Sequence, residues 1–400
     1  MTKTVSGRGQ SLKARRDSRR ARPSREPAAR AELMQEIDEK MARVEQFLEG
    51  RNLAGVLITQ VRNFSWITAG IADNHILITS ELGAASLLVM RGGKKYVLAS
   101  NSEMARLTEE DLSGLGYEAK EFKWYDDRRE QFIKDIARGG EVATDAPFAN
   151  LQVIDGDIAS LRYELTAPEI KKYRWLGRNT AEAVEAVCKK LRPGMREREI
   201  EAMTSNELMT RGIRPTVLLI GADERVYNFR HAPPSGAKLR RYGMVNVCAR
   251  KWGLVAAVTR FAHFGPLPRP LKQRLHAAAK VNAEYQAHST PGAKAGEILE
   301  RAMKAYAEQG FEGEWENHHQ GGAIGYGERD WVALPGSSDL VHERQGFAWN
   351  PTIQGAKVED TIIAYTDHVE NITRTPGWPT IDVEVKGATY KSPDILVMNK

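Results

Sequence analysis

The sequence predicts a two-domain protein of mixed α/β (α+β) class. Its 400 residues, 42% hydrophobic and 28% charged, are enough for two domains with a sizeable core. Helical and strand-like patterns alternate up to about residue 155, and a segment of the second half recurs at an offset of 98 residues. We therefore expect an N-terminal α/β domain at residues 33–158 and a C-terminal domain with an internal pseudo-twofold repeat at residues 159–400.

The N-terminal tail carries most of the positive charge. Residues 1–30 hold ten lysines or arginines against Asp17 and Glu26, a net charge of +8. Since the whole chain has a net charge of +6, the remaining 370 residues carry 6 − 8 = −2. With almost no apolar residues to bury, residues 1–32 should be a disordered basic tail, weakly attracted to polyanions. The near-neutral body argues against nucleic acid as a partner beyond this tail.

Cysteine usage and hydropathy exclude two further classes. Cys188 and Cys248 are too few for a disulfide framework and lack the spacing of a redox motif. The most apolar runs, residues 53–61 and 84–90, are far shorter than the roughly 20 residues that a bilayer span needs. No apolar segment follows the paired arginines of the tail, so a secretion signal is not expected. We expect a cytoplasmic protein without a membrane partner.

Helices and strands alternate in the first domain. Apolar residues at helical spacing predict a helix from about Glu32 to Glu49, ended by Gly50. Further helices are predicted near residues 101–112 and 127–138, and Gly92-Gly93 predicts a hairpin. The predicted strands are Leu53–Thr59, Leu77–Thr79, Ala85–Val89 and Lys95–Ala99.

The second domain opens with a capped helix and then repeats itself. Thr166 and Glu169 have the spacing of a capping box, and the helix should run to about Leu191. The segment at 193–200 (PGMREREI) recurs at 291–298 (PGAKAGEI), and each copy continues to a glycine stop, at Gly212 and Gly310. Two matching units predict a pseudo-twofold domain with a site between its halves.

Four segments of this domain resemble the creatinase and aminopeptidase P family in order and spacing. They are residues 165–172 (LTAPEIKK), 191–199 (LRPGMRERE), 230–234 (RHAPP) and 358–361 (VEDT). The resemblance covers residues 34–400 and implies an N-terminal creatinase-type α/β domain followed by a pita-bread domain. It also implies a homodimer whose N-terminal domains help to close the partner's pocket.

The peptidases of this family hold two divalent metal ions with two aspartates, a histidine and two glutamates. The resemblance places Asn246, Ala257, Gly322 and Asn350 at four of these five positions, and only Glu359 matches. Alanine and glycine supply no donor, and asparagine supplies only a neutral carbonyl. We therefore expect no metal and no other cofactor, although His318, His319 and Asp330 leave a different mononuclear site open.

The resemblance to creatinase, a metal-free branch of the family, implies chemistry that could remain. His231 falls where creatinase has its acid/base histidine, and imidazole can accept and return a proton near neutral pH. Glu359 is the second predicted catalytic residue, as a carboxylate that activates water or holds a cationic nitrogen; it could instead be a structural hydrogen-bond acceptor. Creatinase has glutamates at the positions of Thr259 and Asn350, so creatine itself is a poor guess for the substrate.

Other polar residues are predicted to bind the substrate. Arg329 could hold a substrate carboxylate in its planar fork, or pair with Asp330 or Glu328. The glycines after His318-His319-Gln320 would allow close approach of a ligand, or form a tight hairpin with surface histidines. The predicted substrate-binding residues are Asn246, Thr259, His318, His319, Gln320, Arg329, Asn350 and His75, the last reaching a neighbouring pocket.

Three functions remain open at this point. The first is a metal-independent, creatinase-like hydrolase or lyase that acts on a C–N or related bond of a small nitrogenous molecule. The second is a non-catalytic pita-bread module that binds a peptide or protein, because losing the metal ions removes the family's way of activating water. The third is an atypical Xaa-Pro-type metallopeptidase. The polar content of the site favours the first, since enclosed polar groups need a ligand or solvent.

Overall fold

The computed structural model describes residues 27–399. Of the predicted basic tail, residues 1–32, the first 26 residues lie outside this range. Helix α1 (Pro27–Gly50) begins five residues earlier than expected, so the last part of the predicted tail is helical. Gly50 ends the helix as the sequence indicates.

The first domain is built on one six-stranded sheet. Its strands follow the order β4-β3-β2-β1-β5-β6, with β1 antiparallel to β2 and parallel to β5. The strands are β1 (Gly55–Gln60), β2 (Leu82–Met90), β3 (Lys95–Ser100), β4 (Glu118–Phe122), β5 (Val142–Thr144) and β6 (Gln152–Val153). The helices are α2 (Val61–Ile67), α3 (Met104–Arg106, continued by a π-turn at Leu107–Asp111), α4 (Arg129–Ala137) and α5 (Asp155–Ser160). The boundary expected at residue 158 falls inside α5.

One predicted strand is wrong. Leu77–Thr79 forms a turn, and the side chains of Ile76, Leu77 and Ile78 are 56%, 70% and 70% exposed. The run is rich in β-branched residues, but Leu82, not Leu77, begins the strand that pairs with β1. The Asn74 amide donates to the carbonyls of Thr59 and Ala85 and closes the loop beneath the turn. Apolar composition alone therefore mistook a loop for a strand.

The helices of the second domain confirm the capping box and the repeat. Thr166 and Glu169 bond reciprocally at the start of α6. In the two copies of the repeat, isolated bridges join Arg196 to Lys238 and Lys294 to Leu340, with Arg196 and Lys294 separated by the same 98 residues. The helices are α6 (Ala167–Lys190), α7 (Glu197–Met209), α8 (Glu224–Asn228), α9 (Arg269–His288) and α10 (Ala295–Glu308), with a 3₁₀ turn at Glu314–Asn317.

Two sheets of the second domain meet at the candidate site. One has the order β19-β9-β8-β7 and the other β11-β10-β12-β15-β16, beside two small hairpins. The Thr259 amide of β9 donates to the Glu359 carbonyl at 3.1 Å and joins the two sheets. The strands are β7 (Arg214–Ala222), β8 (Tyr242–Lys251), β9 (Leu254–Phe264), β10 (Gly321–Ala323), β11 (Trp331–Val332), β12 (Gln345–Trp349), β13 (Thr352–Ile353), β14 (Ala356–Lys357), β15 (Asp360–Ala364), β16 (Val369–Asn371), β17 (Thr380–Val385), β18 (Ala388–Pro393) and β19 (Leu396–Met398).

Two side observations agree with the composition. Cys188 and Cys248 are both buried and unbridged. Among residues 27–399, no helix combines the length and the apolar character needed to cross a bilayer.

Candidate functional site

Glu359 lies at the centre of a buried polar cluster. Its side chain is 2% exposed, and its Oε2 atom accepts hydrogen bonds from Asn246 Nδ2 at 2.7 Å and Thr259 Oγ1 at 2.7 Å. The ammonium of Lys357 lies 2.9 Å from the same oxygen. Arg329 approaches Oε1 at 3.5 Å. One carboxylate therefore holds two neutral donors and two cations.

Strand geometry brings these residues together. Asn246 of β8 is directly opposite Thr259 of β9, so both side chains face the second sheet on the same side. Glu359 precedes β15 and faces them, whereas its neighbour Asp360 points away to Arg260 and Asn371. The alternation of side chains along an extended segment thus turns one acid of the pair towards the site and the other away from it.

The charges around Glu359 keep it ionised. Burial alone would raise its pKa, but the positive charges of Lys357 and Arg329 outweigh this effect, and the pKa falls to about 2. Glu359 is then a permanent anion at neutral pH. It is suited to fixing its neighbours in place rather than to carrying a proton.

Three histidines form a second cluster. His231, on the loop after α8, and His318, after the 3₁₀ turn, meet with their Nε2 atoms 3.0 Å apart. The rings of His318 and His319 stack with centroids 4.5 Å apart. Of the three, His231 and His319 are exposed and His318 is 9% exposed, so the cluster opens to solvent on one side.

All three imidazoles are held neutral. Burial, followed by the charge of Lys357, lowers the pKa of His318 to about 2. Burial and Arg329 lower the pKa of His319 to about 4, and burial and Lys357 lower that of His231. Because neither His231 nor His318 is protonated at neutral pH, the 3.0 Å contact needs one ring to donate and the other to accept.

Gln320 and Asn350, both predicted to bind the substrate, differ in whether their side chains are already bonded. The Gln320 amide donates to the carbonyls of His318 and Trp315 and accepts from Tyr306, so a direct substrate contact would have to break these bonds. Asn350 is 2% exposed and its Oδ1 atom has no partner within the described part of the chain. Asn350 therefore retains an acceptor for a ligand, and Gln320 does not.

His75 is not brought to this cluster within one chain. Its Nδ1 atom lies 2.8 Å from Asp73 of the same domain and 3.3 Å from Arg214 of the second domain. Its predicted contact with a neighbouring pocket depends on a second chain and stays a prediction.

The alternative mononuclear site with Asp330 is wrong. Asp330 is 4% exposed and is paired with Arg162 at 2.7 Å, so it is not turned towards the histidines. Its neighbour Glu328 pairs with Arg250. Arg329 pairs with neither of these two carboxylates; it donates to the backbone carbonyl of Glu328 and lies 3.5 Å from Glu359, which was not among the partners expected from the sequence.

The residues at the family's metal positions do not fit a dinuclear centre. Ala257 has no donor, and its backbone bonds to the Thr361 hydroxyl. At Gly322, φ is 157° and a Cβ atom would overlap the carbonyl oxygen of Trp331, so no histidine fits this backbone. The lone carboxylate, Glu359, is already neutralised by Lys357. The three histidines could hold an ion by geometry alone, since their candidate ligand atoms lie within 4.8 Å of one another.

Sequence reasoning missed Lys357. It lies two residues before Glu359 in an extended segment, and alternate residues of an extended chain share a face. That spacing could have placed the lysine beside the glutamate.

A cleft away from this cluster borders the first domain. It measures about 300 Å³ and is lined by three segments, at residues 61–73, 209–214 and 250–253. It separates the first domain from the tip of the β8–β9 hairpin and contains none of the three histidines.

Comparison with known proteins shows a family match in the second domain. The model of metallopeptidase family M24 matches residues 171–366. No curated protein shows significant sequence similarity to the chain.

Several solved structures share the fold at low identity. A prolidase from Pyrococcus horikoshii OT3 is 19% identical, with a TM-score of 0.71 over 84% of this chain and 98% of that one. The dipeptidase PepE from Mycobacterium ulcerans is 18% identical, with a TM-score of 0.72 over 92% and 99%. The N-terminal domain of FACT complex subunit SPT16 from chickpea is 12% identical, with a TM-score of 0.62 over 84% and 96%. The chain therefore has the pita-bread fold of creatinase and aminopeptidase P proteins, and its residues 171–366 match metallopeptidase family M24.

Proposed function

We propose that this chain is a hydrolase that cleaves a C–N or related bond of a small nitrogenous molecule without the dinuclear metal centre of its family. The match to a peptidase family supports hydrolysis as the reaction class. The observation that carries the rest is the environment of Glu359. The one acid left at the metal positions is neutralised by Lys357 at 2.9 Å, where its relatives' acids would face metal ions.

His231 is the proposed acid/base. Its lowered pKa leaves the ring neutral at pH 7, so it can accept a proton from water. His318 engages Nε2 of His231, whereas Nδ1 has no partner within residues 27–399 and can exchange a proton with bound water. The water oxygen would bond to the carbon as the C–N bond breaks, and His231 would return the proton to the leaving nitrogen.

Glu359 has a supporting part in this proposal. Because its pKa is about 2, it does not exchange protons at neutral pH. It fixes Asn246, Thr259 and Lys357 in place through its Oε2 atom. The other predicted substrate contacts, at His318, His319, Arg329 and Asn350, surround this centre.

Replacing His231 tests the proposal. A thermal-shift screen of small nitrogenous metabolites on wild-type protein would find ligands, and their turnover would then be compared in His231→Ala and in a control, His276→Ala on helix α9. We expect His231→Ala to keep the ligand but to lose turnover by roughly 100-fold or more, the range for removal of a general acid/base. The control should keep wild-type turnover.

Two outcomes would overturn the proposal. Turnover by His231→Ala at the wild-type rate would remove the acid/base role. A ligand bound equally by both proteins, with no turnover by either, would support a binding module instead.

A non-catalytic binding module is the second candidate. The exposed apolar turn Ile76–Ile78 is a surface that a protein partner could cover. The chickpea protein with this fold is a subunit of a complex. The homodimer and the cytoplasmic location stay predictions.

An atypical metallopeptidase is the third candidate. The spacing of His231, His318 and His319 favours it, because neutral imidazoles are ligands for zinc. The adjacent cations Lys357 and Arg329 disfavour a bound dication.

A further inference from the structure

Lys357 has donors that the protein does not use. Its side chain is 5% exposed, and its recorded side-chain contact is the one with Glu359 at 2.9 Å. An ammonium group carries three N–H donors. Two of them therefore lack a protein acceptor among the described residues, in a place with little access to water. Burying a charged donor without an acceptor is costly, so the arrangement calls for a ligand.

Arg329 is incompletely paired as well. Its side chain is 18% exposed, one terminal nitrogen donates to the carbonyl of Glu328, and the other lies 3.5 Å from Glu359. The Nε atom is buried and has no partner in the part of the chain that the structure describes. The guanidinium group of Arg329 thus keeps donors without an acceptor, and its planar arrangement of donors suits a carboxylate.

The charges of this centre do not balance. Lys357 and Arg329 contribute two positive charges and Glu359 one negative charge, while the three nearby histidines are neutral. Nearby, Arg162 pairs with Asp330 and Arg230 pairs with Glu314. Arg250 faces two carboxylates, Glu81 and Glu328, whose side chains are 48% and 33% exposed and therefore solvated by water. Lys357 and Arg329 together therefore carry one more positive charge than Glu359 neutralises, and a single anionic group of a ligand would balance it.

We infer that Lys357 and Arg329 form a receptor for one carboxylate group of the substrate, with Lys357 taking over the charge role of the missing metal ions. That the bound molecule is a substrate rests on the proposed function. The binding of a carboxylate does not depend on it. A cavity of about 10 Å³ borders Lys357 on the side of Arg230 and Phe261, enough for one water only. The carboxylate enters from the open side instead, where His231 and His319 are exposed.

A matched pair of probes tests the receptor on the full chain. Radiolabelled N-acetylglycine and N-acetylglycinamide differ only in the carboxylate, and equilibrium dialysis measures the binding of each. We expect saturable binding of the acid at one site per chain and binding of the amide weaker by roughly 10-fold or more, the effect of losing a charged hydrogen bond. Equal binding of acid and amide, or no saturable binding of the acid, would overturn the inference.

Variants separate the receptor from general charge. Lys357→Met should abolish the preference for acid over amide, and Lys357→Arg should restore part of it. Lys391→Met is the control, because Lys391 also pairs with a carboxylate, Asp382 at 2.7 Å, on the distant β17–β18 hairpin. The probe pair on wild-type protein keeps the test decisive if Lys357→Met does not fold. A preference unchanged in Lys357→Met, or equally lost in Lys391→Met, would contradict the inference.

The binding of these probes, together with turnover of the ligands found in the thermal-shift screen, distinguishes this inference from the proposed function. His231→Ala should keep its preference for the acid while losing turnover. Loss of turnover with retained carboxylate binding supports both proposals. Retained turnover in His231→Ala overturns the proposed function but leaves the receptor intact.

Discussion

At the scale of the residue, a lysine provides the positive charge that Glu359 needs. A buried carboxylate is expensive unless cations and hydrogen-bond donors surround it, and Lys357, Asn246 and Thr259 supply both. Burial, and after it the same cations, lower the pKa values of the neighbouring His318 and His319. Charge and hydrogen bonding are thus arranged around one anion, with neutral imidazoles beside it.

The histidines make stability depend on pH. His318 and His319 have pKa values of about 2 and about 4 in the folded chain, below the usual 6.5, so the unfolded chain binds more protons below pH 6.5. The free energy of unfolding should therefore fall as the pH decreases from about 6.5 towards 4. Glu359 adds a further loss from about 4.5 towards 2, since its pKa is also lowered.

Urea unfolding at several pH values measures this dependence. His318→Asn removes the most strongly shifted histidine and should flatten the curve between pH 6.5 and 4. Parallel curves for the variant and the wild-type protein would contradict the assignment of the lowered pKa to His318.

The sequence predicted much of this site but not its electrostatics. Asn246, Thr259, Glu359 and the histidines were recognisable because they occupy positions of a known family. Lys357 was not, because that family resemblance directs attention to metal ligands. His75 could not be placed, since its neighbours Asp73 and Arg214 come together only through the fold.

At the scale of the element, strand β10 runs too close to its neighbours for a side chain at Gly322. Gly322 pairs with Ala348 on one side and with Val332 on the other, and a Cβ atom built on it would overlap the Trp331 carbonyl oxygen. The family's histidine ligand would need a different backbone path here. The backbone of the strand itself therefore excludes that ligand, so replacing the glycine side chain alone would not restore it.

Restoring the histidine should fail for this reason. Gly322→His places a Cβ atom against the Trp331 carbonyl at a backbone conformation that favours glycine, and we expect a loss of about 2 kcal/mol or more in the free energy of unfolding. Gly236→His is the matched control, because no atom lies within 4 Å of a Cβ built there. Chemical denaturation compares the two variants. Equal stability of the two variants would contradict the close approach.

Local signals predicted the elements well where they are self-contained. The capping box of α6 and the 98-residue repeat depend on residues close in sequence, and the structure confirms both. The strand predicted at Leu77–Thr79 was wrong because the position of this strand is decided by which segment pairs with β1, and composition does not reveal that pairing.

At the scale of the whole molecule, buried charges fix the first domain on the second. Lys40 of α1 is fully buried and contacts Glu36 at 2.8 Å and Glu169 of α6 at 2.7 Å. The Tyr326 hydroxyl donates to Glu169 as well. Removing one partner of such a buried set leaves an uncompensated charge, so the two domains have little freedom to separate here.

The fold and the site lead to different expectations. The pita-bread architecture and the match to family M24 point to metal-dependent hydrolysis. The side chains at its centre supply a single carboxylate that Lys357 already neutralises. Function follows the site rather than the fold, which is why the proposal departs from the family's metal chemistry.

The metal content of the protein tests this central claim most directly. The full chain, purified without chelator from cells supplied with zinc, manganese and iron, would be analysed for metals alongside His318→Ala. The account predicts metal far below one ion per chain in both proteins. A transition metal near one ion per chain in the wild-type protein, lost in His318→Ala, would contradict it and assign the site to the three histidines.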